Sequence, residues 1–168
     1  IHYGKSDATS ETNGTNTFLF FDDFEDGTLN KWTLLGLDAG TITNVNEDKY
    51  EGSRSMKIVD SSTGGSPQAY AAIGQTVWTM VEFYAKTITT AKYGAGAIRS
   101  TTSGVLYFQM RSTNHFGYYL TSWQNLPTDT LWSAGTWYKM GWWFKDTQTR
   151  FLVNDADKGA VPYVCNDN

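Results

Sequence analysis

Residues 18–27 constrain the fold of this chain more than any other stretch. Their sequence, Phe-Leu-Phe-Phe-Asp-Asp-Phe-Glu-Asp-Gly, runs an aromatic segment directly into an acidic one. Burying one large apolar side chain stabilises a fold by about 1.5–3 kcal/mol. Phe18, Phe20 and Phe24 are therefore expected to be packed, which a solvated acidic tail would not allow. We therefore expect a packed β-domain to begin at Phe18, with residues 18–24 as its first strand.

The composition favours strands over helices throughout the chain. Aromatic residues make up 15% of the sequence and charged residues only 18%, below the ~25% that is usual in globular domains. Aromatic and β-branched side chains suit the pleated, half-buried surface of a sheet. The strongest helix formers, in contrast, are scarce. The chain is predicted to be all-β.

Alternating polarity and turn residues locate the further strands. They are predicted at residues 41–45, 55–60, 70–74, 77–85, 94–100, 105–111, 116–122, 137–144 and 149–154. Residues 77–85 alternate poorly, which is typical of a central strand with both faces covered. Strands that recur about every ten residues predict a two-sheet antiparallel sandwich or jelly roll.

The first 17 residues read as an arm attached to this domain. Residues 1–4, Ile-His-Tyr-Gly, resemble a short strand, and residues 5–17 have the Ser/Thr/Asn-rich composition of a linker. We therefore predict an N-terminal arm at residues 1–17 and a main domain at residues 18–168. Asn13 opens an Asn-Gly-Thr glycosylation sequon within this linker.

Charge and hydropathy exclude two classes of partner. A net charge of -4 and a pI near 5.0 argue against nucleic acid, which attracts a basic surface. No apolar run approaches the ~20 residues that a membrane-spanning helix requires. A low-charge chain rich in Thr, Asn and aromatic residues is typical of extracellular or cell-surface proteins, and this is the predicted location.

Three segments resemble concanavalin A-like (laminin G-like) jelly-roll modules of archaeal and bacterial surface proteins. They are Phe20-Phe-Asp-Asp-Phe-Glu-Asp-Gly-Thr-Leu-Asn-Lys-Trp32, Glu51-Gly-Ser-Arg-Ser-Met-Lys-Ile-Val59, and Ser133-Ala-Gly-Thr-Trp-Tyr-Lys-Met140 with Thr149-Arg-Phe-Leu-Val-Asn154. The resemblance covers about residues 18–160 and implies a jelly-roll sandwich. It leaves function open, because this fold serves lectins, adhesins, enzymes and spacers.

The same resemblance suggests assembly by strand donation. It implies a closing strand after residue 154, where Pro162 makes a poor central strand, while residues 1–4 resemble the last strand of a preceding domain. Ile1, His2, Tyr3 and Gly4 could complete the sheet of another copy or a neighbouring domain, across a linker that spans up to about 40 Å. The favoured prediction is a non-catalytic extracellular structural protein, a cell-surface or filament subunit.

The alternative prediction is a carbohydrate-binding module of a surface adhesin or of a polysaccharide-degrading enzyme. Sugar rings stack their C–H faces on exposed aromatic rings, while Asn and Arg side chains bond the hydroxyl groups. Six residues in or beside predicted loops provide such groups. They are Arg111, Asn114, Tyr118, Tyr119, Trp123 and Trp132.

Calcium is the one cofactor that the sequence suggests. Asp22, Asp23 and Glu25 are candidate ligands, although alternation along a strand would let at most two of them share an ion directly. The other interpretation is that Asp23 and Asp26 cap the turn at Gly27. One cysteine and two separated histidines match no zinc spacing.

Catalysis is not expected. Glycosidases pair two carboxylates across the scissile bond, but Glu82 stands alone in its predicted strand. His115, near Arg111 and Tyr119, is the remaining catalytic candidate. The simpler interpretation is that His115 is a partly exposed histidine at a strand end with no catalytic role. An enzyme acting on polysaccharide through Glu82 or His115 is the third and weakest interpretation.

Overall fold

The computed structural model describes residues 14–61, 66–72, 80–89, 94–100, 104–145 and 147–163. This part of the chain is all-β, as predicted: it contains twelve strands and a single helical turn, α1 (Gly14–Thr17). None of its helical structure is long and apolar enough to cross a membrane. The chain divides into two compact units, Ile1–Gly74 and Gln75–Asn168. The predicted boundary at residue 17 falls inside the first unit and stays a prediction.

The first unit contains two small antiparallel sheets. Its strands are β1 (Thr33–Leu35), β2 (Gly40–Val45), β3 (Ser55–Asp60) and β4 (Gln68–Tyr70). β1 pairs with β4, and β2 pairs with β3 in a register that runs from Gly40 opposite Asp60 to Val45 opposite Ser55. Ala39 and Ile42 are its buried apolar residues among those described.

The prediction of a strand at residues 18–24 is wrong. The segment follows α1 as irregular chain, because its carboxylates bond their own backbone. Asp22 accepts a hydrogen bond from the Phe24 N–H at 3.1 Å, and Phe24 takes a left-handed φ of 65°. Such local bonds compete with a sheet ladder. The aromatic rings are nevertheless packed, with Phe20 edge-on to Trp32 at 5.2 Å between centroids.

The second unit contains two four-stranded antiparallel sheets. Its strands are β5 (Met80–Ala85), β6 (Gly94–Ser100), β7 (Gly104–Met110), β8 (Phe116–Tyr119), β9 (Trp123–Asn125), β10 (Tyr138–Lys145), β11 (Gln148–Val153) and β12 (Ala156–Val161). We call the β6-β7-β8-β9 sheet the front sheet and the β12-β11-β10-β5 sheet the back sheet.

Most predicted strands are confirmed to within one residue. The exceptions are instructive. Of residues 116–122, only Phe116–Tyr119 (β8) form a strand; the chain bends at residues 120–122, and the separate strand β9 begins at Trp123. The strand predicted at 70–74 is β4, which ends at Tyr70, and residues 73–74 lie outside the described part.

The strand at residues 77–85, predicted to be central in its sheet, differs from the β5 that the structure contains. Residues 77–79 lie outside the described part. β5 itself is the last strand of the back sheet as described, and its exposure alternates along its length. Within the described residues, a strand at the edge of the sheet with one solvated face therefore replaces the predicted central strand.

β12 was not predicted at all. Asn154 and Asp155 join it to β11 with φ angles of 49° and 64°. Two consecutive positive φ values are the mark of a type I′ hairpin turn, whose twist matches that of the flanking strands. The Asn-Asp pair is a weaker signal for this turn than Asn-Gly, which explains why β12 was not predicted.

The core of the second unit lies between its two sheets. Leu106, Phe108 and Met110 alternate along β7 and are buried. The ring centroid of Phe108 lies 5.8 Å from that of Trp142 and 5.1 Å from that of Phe151, both on the back sheet. The two sheets therefore pack face to face, in a sandwich-like arrangement.

Gly96 on β6 is where this packing is tightest. A Cβ added there would lie 2.5 Å from atoms of both the Phe83 and the Trp142 ring. We expect Gly96→Ala to destabilise the protein by about 1–3 kcal/mol, the usual cost of overpacking, measured by urea denaturation. Phe83→Leu should lower the free energy of unfolding by less in the Gly96→Ala background than in the unmodified protein, because it makes room for the methyl group. Additive costs would contradict this explanation.

Candidate functional site

Three aromatic side chains stand side by side on the face of the front sheet that points away from the core. Tyr107 on β7 is directly opposite Tyr119 on β8, which is directly opposite Trp123 on β9. Ring centroids lie 6.1 Å apart for Tyr107 and Tyr119, and 5.2 Å apart for Tyr119 and Trp123. We call these three residues the aromatic row. Trp123 is 39% exposed, and the other two are half-buried.

The alternation of β7 explains why the row faces outward. Leu106 and Phe108 point to the core, so Tyr107 between them must point to the opposite face. The register of the three strands then places the three residues side by side, since cross-strand neighbours on one face lie within contact distance. Their rings close into a triangle, with 6.1 Å between the ring centroids of Tyr107 and Trp123.

Arg111 closes one end of the row. Its side chain leaves the end of β7 and crosses β8 at Gly117, where an added Cβ would clash with Arg111 Cδ. Its guanidinium carbon lies 5.1 Å from the centroid of the Trp123 ring, within the range of a cation–π contact. Only a glycine at position 117 lets the arginine reach across to β9 in this way.

Two buried polar atoms beside the row have no hydrogen-bond partner among the residues that the structure describes. They are Gln109 Oε1, an acceptor, and Arg111 Nε, a donor. Gln109 is only 8% exposed and shares the outer face of β7 with Tyr107. Buried polar groups in proteins are nearly always hydrogen-bonded, so such atoms call for an explanation.

The structure brings together three of the six residues predicted to bind carbohydrate. Arg111, Tyr119 and Trp123 share the outer face. Asn114 lies at the tip of the β7–β8 turn, exposed, with a φ of 62°.

Tyr118 and Trp132 do not lie on this outer face, contrary to the prediction. The ring of Tyr118 stacks on that of Phe151 on the core side, at 5.2 Å. Trp132 is 2% exposed, and its indole N–H donates to the Arg111 carbonyl at 2.9 Å. It supports the turn that carries Arg111 rather than offering a ring to a ligand. Tyr107 and Gln109 were not predicted as site residues, although the alternation of residues 105–110 could have placed them on the outer face.

Both catalytic candidates have a side-chain partner. His115 Nδ1 lies 2.6 Å from Asp129 Oδ1, and its backbone bridges to Leu131. Glu82 accepts from Lys139 Nζ at 3.0 Å, and Lys139 also bonds Asp155. The hydrogen bonds from Lys139 to Asp155 and Glu82 raise the pKa of Lys139. Both candidates therefore have a structural use, and the absence of catalysis stays a prediction.

The candidate calcium ligands do not converge on one point. Asp22, whose side chain is 3% exposed, accepts from the Trp32 indole N–H at 2.6 Å and from Lys31 Nζ at 3.2 Å. Asp23 accepts from the Glu25 N–H at 3.3 Å. Among the described residues, no group of three or more His, Cys, Asp or Glu side chains is placed to hold a metal ion. Calcium binding stays a prediction that this geometry does not support.

Glu25 and Asp26 act as local clamps instead. Glu25 Oε1 accepts from the backbone N–H groups of Ser53 and Arg54, at 2.7 and 2.9 Å, which ties the acidic segment to the loop between β2 and β3. The Ser53 N–H, helped by that of Arg54, holds the pKa of Glu25 below its ordinary 4.5. Asp26 accepts from the Thr28 N–H at 2.8 Å, which lowers the pKa of Asp26 and caps the turn at Gly27, as one of the two interpretations predicted.

Ile1, His2, Tyr3, Gly4 and Asn13 lie outside the described residues, so strand donation and glycosylation stay predictions.

Comparison with known proteins adds one finding. A family model described as a domain of unknown function (DUF2341) matches residues 1–35, which include the predicted arm, the acidic segment and β1. No curated protein and no solved structure matches the chain.

The clamp by Glu25 predicts a pH-dependent stability. A carboxyl group whose pKa is lower in the folded state stabilises the fold above its unfolded pKa, and this contribution disappears as the pH falls through the folded pKa. Glu25→Gln should therefore lower the denaturation midpoint at pH 7, and the difference from the unmodified protein should shrink by about pH 3. Glu51→Gln, on the same loop, is the matched control. An equal difference at both pH values would show that Glu25 does not act through its charge.

Proposed function

We propose that this chain is a non-catalytic carbohydrate-binding module of an extracellular surface protein, and that the aromatic row and Arg111 form its sugar-binding surface. The observation that carries this proposal is the register of Tyr107, Tyr119 and Trp123. Three neighbouring strands place their aromatic residues opposite one another on a single face.

The chemistry of the row suits a saccharide. Aromatic rings offer flat apolar surfaces to the C–H faces of sugars, and Tyr and Trp also carry a polar group that tolerates a wet surface. The ring centroids of Tyr107, Tyr119 and Trp123 lie 5.2 to 6.1 Å apart in every pair, so the three rings offer one compact apolar surface on which a sugar can stack. Arg111 and Gln109 stand beside it as hydrogen-bonding groups for hydroxyls.

The architecture is compatible with the proposed fold family. Two antiparallel sheets packed face to face support a sandwich, and the resemblance to concanavalin A-like modules supports jelly-roll connectivity and an extracellular location. A rigid scaffold that presents side chains from strands holds a binding surface more firmly than a loop does.

The proposal predicts the behaviour of two variants. Trp123→Ala or Tyr119→Ala should weaken retention of the protein on the polysaccharide it binds by roughly tenfold, or about 1.4 kcal/mol, because each removes a stacking surface. Affinity electrophoresis against a panel of plant, microbial and animal polysaccharides measures this directly.

Tyr84→Ala provides the matched control, because Tyr84 is an aromatic residue of similar exposure, 43%, on the back sheet. Its retention should equal that of the unmodified protein. If Tyr84→Ala abolishes retention while the row variants leave it intact, the binding surface lies on the other sheet.

Assembly is the second candidate function, and the first unit contains the observation that favours it. Ile58 and Val59 project from opposite faces of β3, yet they are 46% and 41% exposed. In the part of the chain that the structure describes, β3 has β2 as its one partner strand, and an isolated two-stranded sheet is only marginally stable. A strand donated by another copy or by a neighbouring domain would extend this sheet.

The donated strand is proposed to be Ile1–Gly4, and this makes assembly testable. Deleting residues 1–17 should convert oligomers to monomers, as measured by light scattering. A variant with Ile1→Asp and Tyr3→Asp keeps the arm at full length and should have the same effect, because it removes the apolar side chains a sheet would bury. Oligomers that persist in both variants would exclude strand donation by this arm.

A further inference from the structure

We infer that the saccharide bound at the aromatic row carries a carboxylate, as uronic acids do, and that Arg111 is the residue that selects it. This inference rests on the proposed carbohydrate binding and deepens it. It depends on how Arg111 is held, on the two unpartnered atoms beside it, and on the charge of the whole chain.

Contacts with the front sheet hold the Arg111 cation beside the aromatic row. Its stem is confined where it crosses Gly117, and its guanidinium lies against the Trp123 ring. Among the described residues, no carboxylate forms an ion pair with it. The carboxylate supplied by the loop before β10, that of Asp129, is bonded to His115. A planar guanidinium fork matches a carboxylate in both shape and charge, so an acidic sugar supplies the group that the described residues do not.

The unpartnered atoms match the two functional groups of a uronate. Arg111 Nε has a hydrogen to donate, and Gln109 Oε1 has lone pairs to share. A uronic acid presents a carboxylate, which accepts, close to hydroxyl groups, which donate. A single sugar can therefore satisfy both atoms, whereas a neutral sugar lacks the charged acceptor.

Binding requires Arg111 to move, and the movement exposes the ring it covers. Because Arg111 Nε is buried, the guanidinium must rotate away from Trp123 before the Nε–H can reach a ligand. That rotation frees the indole face for the sugar ring. The contact between Arg111 and Trp123 is thus exchanged for a carboxylate bonded to Arg111 and a sugar stacked on Trp123.

The net charge of the chain opposes the binding of any polyanion, so a preference for acidic polymers has to come from the binding site itself. The chain carries a net charge of -4, so a polyanion is repelled at long range and can be retained only through a specific site. Affinity for an acidic polymer that depends on one arginine would therefore not be explained by general electrostatic attraction.

The test compares acidic polymers with their neutral counterparts. Calorimetry would measure binding of the unmodified protein to polygalacturonate, polyglucuronate and alginate, and to each polymer after reduction of its carboxyl groups to alcohols. We expect at least one acidic polymer to bind about tenfold or more tightly than its reduced form. Arg111→Gln should remove this difference, and Arg111→Lys should keep part of it, because lysine retains the charge without the fork.

Lys145→Gln is the matched control. Lys145 Nζ lies 5.5 Å from the centroid of the Trp143 ring, so this variant removes an equal charge from a similar cation–π contact on the back sheet. It should preserve the preference for the acidic polymer. Circular dichroism would confirm that each variant is folded, and Arg111→Lys replaces Arg111→Gln in the comparison if the latter is not.

The outcomes separate this inference from the proposal on which it rests. Equal binding to an acidic polymer and its reduced form, or binding to neutral polysaccharides alone, overturns the preference for carboxylates and leaves carbohydrate binding in place. A preference that survives Arg111→Gln overturns the role of Arg111. Binding to no polymer, acidic or neutral, overturns both.

Discussion

The packing of Phe108 against the back sheet is the interaction on which the rest of the second unit depends. Its ring meets Trp142 and Phe151 across the sandwich and is fully buried. Side chains alternate along a strand, so burying Phe108 forces Tyr107 and Gln109 to the opposite face. Hydrophobic packing inside the unit therefore decides which residues are available for binding outside it. A one-residue change of register would reverse both faces at once.

The candidate site is built outward from this packing in two steps. The register of β7, β8 and β9 turns one outward tyrosine into a row of three aromatic residues. The β7–β8 turn, supported by the bond from the Trp132 indole N–H to the Arg111 carbonyl, then directs Arg111 back over Gly117 to Trp123. Rigid contacts thus hold the aromatic rings, while two buried polar atoms remain without partners. This combination of a fixed apolar surface and unsatisfied polar groups is what a ligand-binding surface requires.

The bounds of several strands could be predicted from the sequence, whereas the course of residues 18–24 and the burial of Trp132 could not. The bounds of β3 and β6 were predicted to the residue, since strand-forming composition and flanking turn residues are local signals. The same signals failed for residues 18–24, where the Asp22 carboxylate bonds the Phe24 N–H and local side-chain bonds replace the ladder. Arg111, Tyr119 and Trp123 were predicted as ligand-binding residues, but Trp132 was not distinguishable from them. Its burial follows from the packing of the loop after β9 on the β7–β8 turn, where Trp132 bonds the carbonyl groups of Arg111 and Asn114, and that cannot be derived from spacing along the chain.

The most direct test of the central claim is an NMR titration of the indole N–H signals with a polysaccharide that the protein retains. The chain has seven tryptophans, so single Trp→Phe variants can assign each signal. The account predicts that the Trp123 signal shifts in proportion to saturation while that of Trp142, buried in the core at 2% exposure, stays in place. Saturable shifts at Trp143 on the back sheet, with Trp123 unaffected, would contradict it.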